Sequence, residues 1–337
     1  MVELKTMEEF KSMGENDMDD MLRFYQEIGQ ILYFSDEGLR ESIILDVQWF
    51  VDAFKNIITD PTHARPFCKK VKDWEIFMKT GRISDSTLHK VWKKNNSESY
   101  IFQRDKIMPY MEKLGILAKI RTQLVRKKEH EKVPSEHQTE SVYYIPSINK
   151  TDITEMCKEV ISKGNKTPIL VFSFKTYLPH FFFYRLVVTC FSMWESLSDD
   201  LFCKNLAFYK EKGGDRNIAI GVNKTSIQLQ VFTPGDNIEL TADKTREIRK
   251  HVETMIQQLA TTFHQKALYE VGYVCKDLEI TEEDEDCFLS EEVVKELETN
   301  ERLCPRYYEI YHGEHNIVRD NLLHYWYQDS DDIDELP

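Results

Sequence analysis

The hydrophobic pattern is densest at Gly29–Thr59, GQILYFSDEGLRESIILDVQWFVDAFKNIIT, where its period changes partway along. Ile31 and Tyr33 predict a short strand, Ser35, Asp36 and Gly38 supply turn chemistry, and Ile43 to Leu45 predict a second strand. Asp46 is placed as an N-cap. Beyond it Trp49, Phe50, Ala53, Phe54, Ile57 and Ile58 recur at helical spacing, which predicts a helix with one buried face. After a break at Thr59–Thr62, Ser84 or Asp85 caps a helix with Leu88, Val91 and Trp92 on one face. A third helix runs through DKIMPYMEKL with Ile107, Met111 and Leu114 inward, Pro109 in its first turn and Gly115 as a left-handed cap. Ile116 to Ile120 and Val142 to Ile145 predict two strands. The polar text between them, near 121–141, is expected as a mobile insert because it is charged and aperiodic. Three helices followed by a ribbon is a winged-helix-like order, assigned to residues 1–150.

Beyond residue 150 the pattern changes. TPILVFSF, residues 167–174, predicts a strand, and Pro179 opens a nearly all-apolar helix through Trp194. Its Phe181, Phe182 and Phe183 are expected as core, or as core plus partner surface. A meander follows: CKNLAFYKE, a KGGD turn at 212–215, NIAIGV, a turn at Asn223, and TSIQLQVF. Ile227, Leu229 and Val231 alternate with Ser226, Gln228 and Gln230, which predicts a sheet with one wet face. Residues 241–271 read as one long helix striped by Ile248, Val252, Met255, Ile256, Leu259 and Phe263. The fold class is α+β. Residues 151–272 form its sheet-and-helix half, and 273–337 a small Cys- and His-containing tail module.

The phrases GxILYF and VILDxQWxVDAF, matched here by GQILYF and IILDVQWFVDAF, resemble the opening of the COR domain, which follows the Roc GTPase domain in Roco-family proteins. GRISDSTLHKVWKK is a second family-like phrase. Val47 stands where the family usually has Pro, which costs some rigidity at the helix start. The order of elements extends the likeness over roughly residues 20 to 270. The resemblance implies a COR-A-like half, a COR-B-like half, coupling to an adjacent Roc domain in the same parent chain, and self-association as a homodimer. The chain begins abruptly inside this family-like text, and a GxxxxGK[ST] segment shortly upstream of Met1 would settle the family.

The length of 337 residues suggests two domains at roughly 150 residues each. A net charge of -14 argues against a general nucleic-acid binder. Lys90, Lys93 and Lys94, with Arg126, Lys127 and Lys128 on the ribbon, give basic edges that Glu112, Glu129, Glu131, Glu136 and Glu140 dilute. No run approaches the roughly 20 apolar residues of a membrane span, and the charged start lacks a signal peptide's apolar core. A cytoplasmic protein is expected. Seven Cys without a dense disulfide pattern suit a reducing compartment.

No phosphate cradle, kinase signature, GxSxG or HExxH occurs, so no catalytic residue and no nucleotide or other cofactor site is assigned. A hydrolase assembled from distant Ser, His, Cys and Asp is the third reading. In the tail, Cys275, Cys287, Cys304 and His312 suggest a zinc-stapled module, with His315 competing for the fourth position. Against zinc, there is no CxxC knuckle, and ordinary burial accounts for each thiol separately. The leading expectation is a non-catalytic regulatory and dimerisation module coupled to a Roc GTPase domain, with the Phe181–Trp194 region and the meander's outer face as its interface. The alternative is a winged-helix nucleic-acid-binding protein with an appended dimerisation domain.

Overall fold

A computed structural model describes residues 10, 12–58, 73–94, 98–124, 139–152, 159–174, 178–198, 201–262, 269–274, 279–281, 288–297, 301–304 and 316–327. The chain divides into two compact units, Met1–Ile148 and Asn149–Pro337.

In the first unit, helix α1 (Glu15–Glu27) precedes the Gly29–Thr59 text and is an element the hydrophobic pattern did not announce. The two strands expected at 31–45 reduce to a single bridge, in which Leu32 and Ile44 exchange backbone hydrogen bonds of 2.9 and 3.0 Å. Helix α2 (Val47–Lys55) begins where expected: the Asp46 carboxylate accepts from the Trp49 N–H at 2.8 Å. Phe50, Ala53 and Ile57 are its buried face. Next come α3 (Trp74–Thr80), strand β1 (Arg82–Ser84), α4 (Asp85–Lys94), α5 (Glu98–Phe102) and α6 (Arg104–Lys113). Ser84 caps α4 by accepting from the Thr87 N–H at 3.3 Å.

Pro109 sits inside α6, in its second turn rather than its first, where it removes one helical hydrogen bond. Burial of Ile107, Met108, Tyr110 and Met111 around it holds the helix together. Gly115, at φ +67°, closes α6 as expected: its N–H donates to Glu112 O and the Ile116 N–H to Met111 O, both at 2.9 Å. Strands β2 (Ala118–Leu124) and β3 (Thr139–Tyr144) pair antiparallel, and β1 pairs with β3, giving the order β1-β3-β2. Both strands run into the segment expected as an insert, because the ladder continues through Gln123↔Glu140 and Leu124↔Thr139. The rest of that segment, 125–138, lies outside the described residues.

The core of this unit gathers Phe50, Trp74, Phe77, Leu88, Trp92, Tyr110, Tyr143 and their neighbours. Its polar atoms are satisfied across the elements: Trp92 Nε1 donates to Ala53 O at 3.2 Å, and Tyr110 OH to Ser42 O at 2.6 Å. Helix α1 has a smaller core of its own, Met18 and Leu22 against Ile31 and Tyr33. Tyr33 OH donates to the Asp19 carboxylate. Burial and that carboxylate push the tyrosine up to about 12.

The second unit is built on one antiparallel sheet of seven strands. In chain order they are β4 (Leu170–Phe174), β5 (Glu195–Ser196), β6 (Leu206–Lys210), β7 (Asn217–Val222), β8 (Ser226–Phe232), β9 (Tyr269–Tyr273) and β10 (Leu289–Ser290). Their order across the sheet is β10-β9-β4-β8-β7-β6-β5. Helix α7 (His180–Met193) lies between β4 and β5 in sequence, and α8 (Ala242–Thr262) between β8 and β9. The long helix is described as far as Thr262, and the last residues read as its continuation, up to Val271, fall in β9. Tyr269–Tyr273, with two tyrosines and a valine in five residues, suits a strand and pairs with β4 instead.

Residues 273–337, expected as a separate module, cluster with 149–272. They contribute β10, α9 (Glu291–Lys295), the pair β11 (Glu301–Leu303) and β12 (Asn316–Val318), and α10 (Arg319–Trp326).

Candidate functional site

Of the expected zinc ligands, Cys275, Cys287 and His312 lie outside the described residues, as does His315. Cys304 is fully buried just past β11. Among the described residues no group of three His, Cys, Asp or Glu is placed to hold a metal ion. Cys190, on α7, is sealed against Met255 Sδ at 3.8 Å, and burial pushes its thiol far up. A thiol held protonated in this way is no nucleophile at neutral pH.

The basic edge on α4 is real but narrow. Lys90 and Lys93 are exposed, while the side chain of Lys94 and all of Arg126–Lys128 lie outside the described residues.

The Phe181–Trp194 region is mostly core. Phe182, Phe183, Leu186, Val187, Val188 and Cys190 are buried, and only Phe181 at 47% and Met193 at 37% stand out. Tyr209 of β6 explains why: its OH donates to Val187 O at 2.9 Å, and its ring packs edge-on to Phe191 with centroids 5.3 Å apart. Pairing register puts Tyr209, Val231 and Ile218 on one face of the sheet with Leu170, Leu229 and Ile220, and α7 covers that face.

The outer face overturns an expectation. It is not wet: every residue of β7 and β8 is buried, including Ser226, Gln228 and Gln230. Gln230 Nε2 donates to Thr167 O at 2.8 Å, and Gln228 Oε1 accepts from the Thr281 N–H. Register aligns Gly272, Val171, Gln228 and Gly221 as one row across β9, β4, β8 and β7. A Cβ at Gly221 would come within 2.8 Å of Thr281 Cγ2 and 3.0 Å of Ile280 Cγ1. A Cβ at Gly272 would come within 2.5 Å of the Phe288 ring. The tail thus meets the row at its glycines, and the alternating pattern misled because the polar side chains find buried partners far off in sequence, Thr281 for Gln228 and Thr167 for Gln230.

Two described contacts of that tail segment work against a backbone strain. Burying Ile280 contributes about 1.5–3 kcal/mol and the Gln228 hydrogen bond about 0.5–1.5. Thr281 sits at φ +78°, where a β-branched residue costs about 1–3 kcal/mol. Strain cancels much of the gain.

The end of the described chain is fixed more firmly. Along one face of α8, Thr245 Oγ1 donates to Tyr325 O, Arg246 Nη2 to His324 O at 3.2 Å and Arg249 Nη1 to Trp326 O at 2.9 Å. Three carbonyls at the α10 C-terminus, which the helix cannot satisfy itself, are thereby capped by donors from another helix. Trp326 is buried and donates from Nε1 to Pro168 O at 2.9 Å. Arg249 also pairs with Glu253 and Glu291, both at 2.8 Å, and Lys295 reaches Glu291 at 2.9 Å. Burial alone would raise the Glu291 carboxyl, but the charges and hydrogen bonds of Arg249 and Lys295 outweigh it and hold it low.

Among the described residues, exposed large apolar side chains are more numerous in the first unit. Phe24 at 56% and Ile28 at 51%, four residues apart on α1, share a face beside Tyr25, while Leu45 and Phe102 are exposed at 74% and 85%. Sequence reasoning passed over them because α1 was not assigned. The spacing of Met18, Leu22, Phe24, Tyr25 and Ile28 was the available signal.

No helix among the described residues is long and apolar enough to cross a membrane. No curated protein matches the chain. Residues 2–147, nearly the whole of the first unit, match the family model described as C-terminal of Roc, COR-A domain. COR-A is a non-catalytic domain associated with Roc, and residues 2–147 are a COR-A domain of the Roco family.

Proposed function

We propose that this chain is a regulatory module that couples to a Roc GTPase domain in the same parent protein and brings two copies together in the cytoplasm. The match over residues 2–147 carries the reading, because a COR domain is defined by its place after Roc. The order α3-β1-α4-α5-α6-β2-β3, with β1-β3-β2 in the sheet, supports a winged-helix-type arrangement for this half. The α+β architecture of the second unit supports a COR-B role. Such a module needs no reactive group. It needs interfaces whose free energies differ between two nucleotide states, and the resulting effect is reciprocal.

Light scattering over a concentration series tests self-association. The reading expects mass to rise from one chain toward two, and a single-chain mass throughout removes the dimerisation part. Zinc in the tail remains a proposal, checked by metal analysis of protein purified without metal affinity. About one zinc per chain supports it, and none removes it.

The nucleic-acid reading has Lys90 and Lys93 in its favour and the net charge of -14 against it. Titration with duplex DNA over a salt series separates the two. Steep salt dependence would favour DNA, and no binding removes it.

A further inference from the structure

We propose that the outward face of helix α1 is a docking surface for a cationic amphipathic helix of a protein partner. The inference goes beyond the coupling to Roc and does not rest on it, since α1 alone carries it.

Helix α1 buries Met18 and Leu22 against Ile31 and Tyr33. At about 3.6 residues per turn, Asp17, Asp20, Phe24, Glu27 and Ile28 fall on the opposite side, and all five are exposed. A surface helix ordinarily fills that side with polar residues. Here Phe24 and Ile28 stand one turn apart, each more than half exposed, and the exposed Tyr25 ring packs edge-on to Phe24 with centroids 5.8 Å apart. Large apolar side chains at i and i+4 are the anchors by which one helix seats on another.

Charge selects the occupant. The acidic or basic side chains on this face, Asp17, Asp20 and Glu27, are all carboxylates, and they flank the apolar pair. The one basic residue of the helix, Arg23, is engaged at the border of the face: Nε donates to the Asp19 carboxylate at 2.9 Å and Nη2 to Ser35 Oγ at 3.1 Å. Whatever buries Phe24 and Ile28 sets its own rim against those carboxylates, so Lys or Arg there is attracted and Asp or Glu repelled. A second α1 would bring the same three acids, and nucleic acid and an anionic membrane carry the same sign. A helix with apolar anchors between lysines or arginines meets both requirements.

The probe is a synthetic peptide of about 15 residues, with leucines at i, i+3, i+4 and i+7 and lysines on either side of that stripe, titrated into the full chain near physiological salt. Its twin carries glutamate at every lysine. The lysine peptide is expected to bind at least about 10-fold more tightly than the twin. Phe24→Ser with Ile28→Ser is expected to weaken it at least about 10-fold, and Asp20→Lys with Glu27→Lys to reverse the preference between the peptides. All four positions are exposed, so the Met18 and Leu22 core stays in place, and lysine at position 27 suits a helix C-terminus. No binding of the lysine peptide, equal affinity for the two peptides, or an unreversed preference overturns the docking surface. Binding that survives Phe24→Ser with Ile28→Ser also overturns it, reducing it to attraction by the net charge of -14. If a variant loses α1, hydrogen exchange on the unaltered chain decides. Saturating lysine peptide is expected to slow the α1 amides at least about 5-fold and to leave those of α4 unchanged. Unchanged α1 amides, or equal slowing at α4, overturn the proposal.

Discussion

The inner face of the second unit's sheet carries Leu170, Phe172, Ile218, Ile220, Ile227, Leu229, Val231 and Tyr209, all buried, whereas the outer face opposite carries Val171, Ser226, Gln228, Gln230, Ala219 and Gly221. Both faces are covered, but by different means. The inner face is an area-driven core sealed by α7, and its stability scales with apolar surface. The outer face also buries apolar side chains, Leu206 and the edge-on pair Phe208–Phe232, but around Gln228 and Gln230 it closes through hydrogen bonds and close backbone approaches, with a strained residue among them. The first face rests on apolar area alone, and the second adds polar groups that must each find a partner.

Substitutions should separate the two faces by size of effect. Phe183→Ala, which empties a site buried under the inner face, should cost about 3–5 kcal/mol in denaturant unfolding. A cost below about 1 would remove the core assignment. Arg249→Met leaves Glu291 with Lys295 and the Tyr273 hydroxyl and uncaps Trp326 O, and is expected to cost about 3 kcal/mol. On the outer face, Gly221→Val should cost about 1–3 kcal/mol by overpacking the tail, concentrated in faster exchange at 279–281. Thr281→Gly should stabilise by about 1 kcal/mol, since it relieves the strain at φ +78°. A loss there would show that the conformation carries no strain.

Acidification gives the smallest expected difference. The Glu291 carboxyl is depressed in the folded chain, so its contribution is fully present above the unfolded value of about 4.3 and is lost as pH falls through the folded one. Denaturation midpoints should therefore drop in that acid window, and Arg249→Met should flatten the drop. Equal acid sensitivity in the two proteins would separate Glu291 from the effect.

Local rules were legible where local chemistry decides. Asp46, Ser84 and Gly115 mark helix ends through hydrogen bonds reaching only three to five residues, and all three sit where local chemistry puts them. Long-range partners were not legible. Ser226, Gln228 and Gln230 alternate as if one side were solvated, and nothing near them announces that Gln228 is met by Thr281 and Gln230 by Thr167, each more than fifty positions away. Tyr269–Tyr273 continued a helical stripe in the sequence and was taken into the sheet by β4. Helix α1 was missed because its acidic start masked the spacing of Met18, Leu22, Tyr25 and Ile28. The COR resemblance rested on the 29–59 text and names the domain, whereas the contact surfaces depend on exposure, which spacing alone does not reveal.

The central claim, that this chain acts by state-dependent contact with a Roc domain, is tested most directly by titrating the isolated Roc domain of the same parent against it, loaded with GDP and then with a non-hydrolysable GTP analogue. The account predicts binding in at least one state and an affinity ratio of at least about 5 between the two, the lower end of ordinary allosteric coupling. No binding in either state, or equal affinity in both, would contradict it.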